Sequence, residues 1–136
     1  DVPVWLQESG MAESKRQWFI DQFQPEGRGV GFAVLGGAFA EGVDLPGSRL
    51  IGAFVATLGL PPVDPVQEAT RRRIEAQWRG RGYDYACLVP GVRKVVQAAG
   101  RVIRGEGDEG VLYLIDDRFA AVQAKGLLPG WWATHT

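Results

Sequence analysis

The sequence has one cysteine, one histidine and one methionine among its 136 residues. A single thiol, Cys87, excludes an intrachain disulfide and any metal site built on several cysteines, and it reads as a small buried hydrophobe. The lone His135 sits next to the last residue and reads as a solvated tail residue. Charge of one sign is also lacking. Fifteen basic and sixteen acidic residues leave a formal charge of −1, so no global field draws in nucleic acid, and no acidic run marks disorder. Any anion must be met by a local patch. No apolar run reaches the ~18 residues of a membrane helix, because the longest, "LIGAFVATLGL" at 50–60, is broken by glycines. With no secretory leader either, a cytoplasmic protein without membrane contact is expected. The chain opens at Asp1 inside an apolar segment, which suggests a piece of a longer polypeptide. It is expected to form one domain, 1–136.

Hydrophobic residues make up 46% of the chain, enough for a core. Four short apolar runs read as strands buried on both faces: 2–6, 30–36, 50–57 and 111–116. Runs of this kind suit a parallel sheet covered by helices. Helical segments alternate with them. Residues 12–23 set Phe19 and Phe23 one turn apart. In 64–78, Asp64 is the N-cap, Pro65 takes the first helical position, and Gln67 closes a capping box. Residues 90–104 end before Gly105, a C-terminal cap, and 118–124 form a last short helix. The alternation argues for an α/β domain.

On the helix expected over 90–104, Val92, Val95, Val96, Ala99 and Ile103 share a face, and Gln97, Arg101 and Arg104 share the opposite one at i, i+4 and i+7. Such a basic face is either solvated or set against an anion, since the planar guanidinium suits phosphate. The glycine-rich loop "LGGAFAEGVDLPG" at 35–47 follows a strand. It is no P-loop, because no Gly-Lys-Ser/Thr follows. It opens no helix, which argues against a dinucleotide fold. It is a ligand-facing loop holding Glu41 and Asp44, although Asp44 could also cap the turn after it.

"GGAFAEGVDLPG" followed by "QAAGRVIR" resembles motifs V and VI of superfamily 2 helicases. "EGVDLPG", "QAAGRVIRGEGDEGVLYLIDDRF" and "KGLLPGWW" resemble the XPD/DinG branch, over nearly the whole chain. The resemblance implies a RecA-like, P-loop-NTPase-type, three-layer α/β domain with a mainly parallel sheet and helices on both faces. This would be the second motor domain, starting inside its own fold. It implies Gln97 near the γ-phosphate, Arg101 and Arg104 as arginine fingers, and Asp44, Glu41, Gly42 and Gly100 on the ATP side. ATP with Mg²⁺ would be the cofactor, its metal ligands lying in a first motor domain, which is the implied partner. A [4Fe–4S] cluster of that branch would also lie outside this chain, and no metal is expected within it. Single-stranded DNA, tracked 5′→3′, is the implied second partner, with Gln7, Gly37 and Arg71 as contact candidates. Arg71, Arg72 and Arg73 with Arg79 and Arg81 form the most basic stretch, and equally a solvated helix face interleaved with Glu68 and Glu75. Trp131 and Trp132 either stack bases or pack the tail, while Trp5, Trp18 and Trp78 read as core or boundary residues. A catalytically silent helicase-like module for DNA or protein binding is the rival reading.

Overall fold

A computed structural model describes the chain except residues 9, 36–42, 105–106 and 136 and the side chain of Ala124. It divides into two compact units, 1–53 with 98–113 and 54–97 with 114–136.

In the first unit, β1 (Val4–Leu6) and β2 (Val30–Phe32) pair in parallel, Trp5 opposite Gly31. Between them runs α1 (Glu13–Asp21). Its Phe19 is 1% exposed, and the Phe23 ring lies 5.5 Å from that of Phe19 and 5.7 Å from that of Trp5. This aromatic cluster lies so close to β2 that a side chain at position 31 has no room. A Cβ there would stand 2.5 Å from Phe23 Cζ and 2.9 Å from Phe19 Cζ. The outward residues Val4, Leu6 and Phe32 are more than half exposed. The burial on both faces expected for these strands is therefore found on one face among the described residues.

The strands β3 (Gly52–Val55) and β4 (Val111–Leu114) form a second pair. In the first unit Val111 N donates to Ile51 O at 3.2 Å, and in the second Ile115 N donates to Val55 O at 2.9 Å. Both partners advance by four residues, so the strands run parallel.

In the second unit, α2 (Pro65–Gln77) starts as the sequence predicts: Asp64 Oδ1 accepts from Gln67 N at 2.8 Å, and Pro65 takes the first position. The capping box is not closed, because Gln67 Nε2 donates to Ala86 O at 2.5 Å instead of turning back to Asp64. The next helix also departs from expectation. It does not begin at Pro90. A π-helical segment, Asp84–Leu88, leads into α3 (Val89–Ala99), so the proline lies inside the helical run. Pro90 has no N–H, and a wider turn before it relieves the clash of its ring with the preceding carbonyls.

The far end differs too. α3 stops at Ala99, not at 104. Arg101 N and Val102 N turn back to Ala98 O and Ala99 O at 3.0 and 2.9 Å, tighter i−3 bonds. Gly100 disfavours continuation. Val102 is buried, and its Cγ1 fills the space where a Cβ on Gly110 would lie, 2.3 Å away. α4 (Arg118–Ala124) matches the predicted 118–124. The second unit's core includes Val55, Leu58, Leu88, Val92, Val95, Phe119 and Val122. Trp18 and Trp78 lie at the boundary, each about half exposed, and Cys87 is half-buried.

Gly31→Ala should destabilise the chain by about 1–3 kcal/mol, the usual result of overpacking. Gly107→Ala should cost under about 0.5 kcal/mol, because nothing lies within 4 Å of its Cβ position. Urea titration of both variants checks this. Equal midpoints would show that the aromatic cluster does not press on β2.

Candidate functional site

The early end of α3 sets the chemistry of the first unit. Asp44 stands between buried Val43 and Leu45, an alternation that holds its carboxylate outward. Arg104, carried beyond the helix by the turn at Gly100, forms an ion pair through Nη2 with Asp44 Oδ1. Its backbone N donates to Asp108 Oδ2 at 3.1 Å. The side chains are 29% exposed for Arg104 and 67% for Asp44. A pair this open exchanges partners readily, since such bridges contribute only about 0–1 kcal/mol. Arg101 is half-buried and Gly100 is exposed. Glu41, Gly42 and Gly37 lie outside the described residues.

Gln97 belongs to the second unit. It is exposed on α3 and lines a shallow groove of about 400 Å³ with Val92, Arg93, Val96 and residues 127–129. The i, i+4, i+7 spacing thus places Gln97 on the helix but not Arg101 or Arg104, because the helix ends between them.

On α2, Arg71 grips Glu68 with two bonds, Nε to Oε2 at 2.9 Å and Nη2 to Oε1 at 2.8 Å, and Arg72 Nε adds a third at 3.0 Å. These donors hold the Glu68 carboxyl down at about 2. Glu75 accepts from Gly80 N at 2.6 Å and Gly82 N at 2.8 Å, and these two backbone donors lower its pKa as well. Arg71, Arg72, Glu75, Ala76 and Arg79 line a depression of about 450 Å³. Arg71 is engaged within its own helix, while Arg72, Arg73 and Arg79 are exposed. Gln7 uses Oε1 to accept from Val34 N at 2.8 Å, extending the β1–β2 pairing. Trp131 is exposed and stacks edge-on against Trp132, centroids 6.0 Å apart.

One cluster was not anticipated from the sequence. Just beyond β3 and β4, Arg118 donates from Nε to Asp116 Oδ1 at 2.8 Å and from Nη2 to Thr57 Oγ1 at 2.8 Å, and Thr57 Oγ1 donates to Asp116 Oδ2 at 3.1 Å. Arg118's side chain and backbone N–H, then Thr57, hold the Asp116 carboxyl well below the usual range. The available signal was an Asp-x-Arg directly after an apolar strand. Among the described residues no group of three or more His, Cys, Asp or Glu could hold a metal ion, and no helix is long and apolar enough to cross a membrane.

The model of the helicase C-terminal domain family matches residues 1–135, and the chain belongs to that family. It is 32% identical over 125 residues to a probable ATP-dependent helicase of Methanocaldococcus jannaschii, covering 86% of this chain and 19% of that protein. It is 32% identical over 113 residues to the XPD helicase subunit of general transcription and DNA repair factor IIH of Arabidopsis thaliana, 80% and 14% of the two chains. Regulator of telomere elongation helicase 1 of Mus musculus is 34% identical over 116 residues, 79% and 10%. The chain therefore spans a tenth to a fifth of these relatives. A solved structure titled XPD in its apo form superposes with a TM-score of 0.71 at 20% identity, over 93% of this chain and 26% of that one. The fold is the α/β, RecA-like fold of XPD, and the chain is a C-terminal domain of the XPD/DinG type of helicase.

The depressed carboxyls set the response to acid. Glu68 is lowered to about 2, so its stabilising effect is complete above its unfolded value of about 4.3 and is lost as pH falls from there toward about 2. Glu75 and Asp116, also lowered, act in the same direction. Urea midpoints should fall steadily between pH 5 and about 2, and Glu68→Gln should flatten that slope. An unchanged slope in the variant would mean that the Arg71 and Arg72 bonds are not made in solution.

Proposed function

We propose that this chain is the second motor domain of an ATP-dependent DNA helicase, acting with a first motor domain on single-stranded DNA during repair or replication. The ion pair between Asp44 and Arg104 carries the reading. It joins the Asp44 segment to the stretch that follows α3 through an open, exchangeable contact. A guanidinium whose ion pair among the described residues is to one exposed carboxylate suits transfer to a phosphate when a cleft closes, as an arginine finger requires. The guanidinium of Arg104 is a cationic, multidentate donor of the kind that suits the phosphates of a nucleoside triphosphate. ATP, with its Mg²⁺, supplies the phosphoryl group that is hydrolysed.

In this reading Arg104 leaves Asp44 to neutralise charge on the γ-phosphate, with Arg101 beside it. Gln97 orients the attacking water, and Asp44, with Glu41, Gly42 and Gly100, lines the nucleotide side. Walker-type phosphate and Mg²⁺ contacts, and any [4Fe–4S] cluster, are assigned to the rest of the polypeptide. Gln7, Gly37 and Arg71 are assigned to contact with single-stranded DNA. The Nε2 of Gln7 and the exposed Arg72 and Arg79 are the donors available for phosphate there.

The test is Arg104→Ala in the full-length polypeptide, assayed for ATP hydrolysis at saturating single-stranded DNA. A finger acts mainly in the transition state, so kcat should fall more than ATP affinity. Fingers contribute roughly 10³–10⁵ in rate, and Arg101 could cover part of the loss. The melt should move little, as at an ordinary surface site, within about 0.5 kcal/mol. A folded variant with wild-type kcat would reject the role. A collapsed melt would make Arg104 structural.

A further inference from the structure

The helix that carries Gln97 has a gap in its hydrogen bonding at the start, and a side chain from another helix fills it. Pro90 is the second residue of α3. It has no N–H, so the carbonyl of Ala86, four residues earlier, has no α-helical donor. Ala86 is buried, and a buried carbonyl without a donor is costly. Gln67 Nε2, from the first turn of α2, donates to it at 2.5 Å and lies 3.7 Å from Cys87 Sγ. Farther along α2, Glu75 accepts from Gly80 N and Gly82 N, just before and at the start of the same helical run. Two glycines let the chain come this close. A Cβ at Gly82 would stand 2.8 Å from Arg71 O, and one at Gly91 would stand 2.9 Å from Leu60 Cδ2. The first turn of α3 is therefore fitted against Leu60 on one side and hydrogen-bonded to α2 through the π-helical segment.

We infer that Gln67 is a positioning residue for Gln97. It satisfies the carbonyl that Pro90 leaves open, and so holds the π-helical segment in the wide form that sets the rotation of α3. This rests on the helicase reading above, because only there does the aim of Gln97 matter to a reaction. Tightening the wide turn by one residue would rotate the following helix by about 100°. A partial relaxation is enough to move the amide of Gln97, two turns beyond Val89. The capping box expected from the sequence would have kept Gln67 within its own helix. The structure uses it between helices.

The test uses the full-length polypeptide with Gln67→Met, which keeps length and loses the donor, and Gln67→Glu. In the nucleotide-free protein, amide exchange over residues 89–97 should quicken roughly tenfold in Gln67→Met, the effect of one lost buried bond. With saturating single-stranded DNA, kcat for ATP should fall roughly ten- to a hundredfold, the penalty for a displacement of about 1 Å. KM should stay within about twofold. Gln67→Glu presents a carboxylate to a carbonyl near neutral pH. A protonated carboxyl can donate, so the ratio of its kcat to that of wild type should rise as pH falls from 8 to about 5.5, helped by the upward pull of partial burial on its pKa. Asp64, Glu68, Arg71 and Cys87 around it are common to both proteins and cancel in the ratio.

A folded Gln67→Met with wild-type exchange and kcat would overturn the inference. If that variant does not fold, a flat pH ratio for Gln67→Glu overturns it. A role in stability alone would lower the melt and leave kcat unchanged at a temperature where every variant is folded, which also counts against it. An inactive wild-type polypeptide with ATP and single-stranded DNA would reject the helicase reading instead, and the exchange measurement would still judge the clip.

Discussion

The two ends of α3 constrain everything around them. At the start, Pro90 removes a donor, the preceding turn widens, and α2 supplies the missing bond through Gln67. At the other end, Gly100 and the burial of Val102 stop the helix at Ala99. That stop lets Arg104 reach Asp44. A helix continued to residue 104 would have kept Gln97, Arg101 and Arg104 on one solvated stripe.

The polar contacts divide by strength and purpose. Glu68 and Glu75 are held by two or three donors each, with their pKa values lowered accordingly. They shape α2 and the turn after it. Asp116 is held as firmly by Arg118 and Thr57. The Asp44–Arg104 pair is different, being one exposed bridge among the described residues, with little net stabilising effect. A scaffold is expected to use the first kind, and a group that must change partners during a reaction cycle is expected to use the second.

Much of the fold was legible from local chemistry. The apolar runs mark each of the four strands among the described residues, and Asp64 followed by Pro65 marks the start of α2 to the residue. The boundaries of α3 are not legible locally, because proline at 90 and glycine at 105 are each ordinary helix punctuation, yet the helix runs Val89–Ala99. Pro90 lies inside the run, and the carbonyl it leaves without an α-helical donor, that of Ala86, is bonded by Gln67, nineteen positions before Ala86. The packing of Val102 into the space at Gly110 is likewise invisible in a helical wheel. Continuous apolar runs imply two buried faces, yet Val4, Leu6 and Phe32 remain exposed, since that face has no covering layer among the described residues. Motif resemblance points to Asp44 and Arg104, whereas the Thr57–Asp116–Arg118 cluster joins residues 59 positions apart, and its one sequence signal, an Asp-x-Arg after an apolar strand, says nothing of Thr57.

The proposed function requires the stretch around Arg104 and the Asp44 segment to close onto a nucleotide held partly by the rest of the polypeptide. Hydrogen–deuterium exchange tests this most directly. It would be measured on the full-length protein bound to single-stranded DNA, with and without ADP and aluminium fluoride as a transition-state mimic. Amides over residues 97–104 and 43–45 should gain protection with the mimic. Clear protection elsewhere in the polypeptide, with no change in these two segments, would contradict the account.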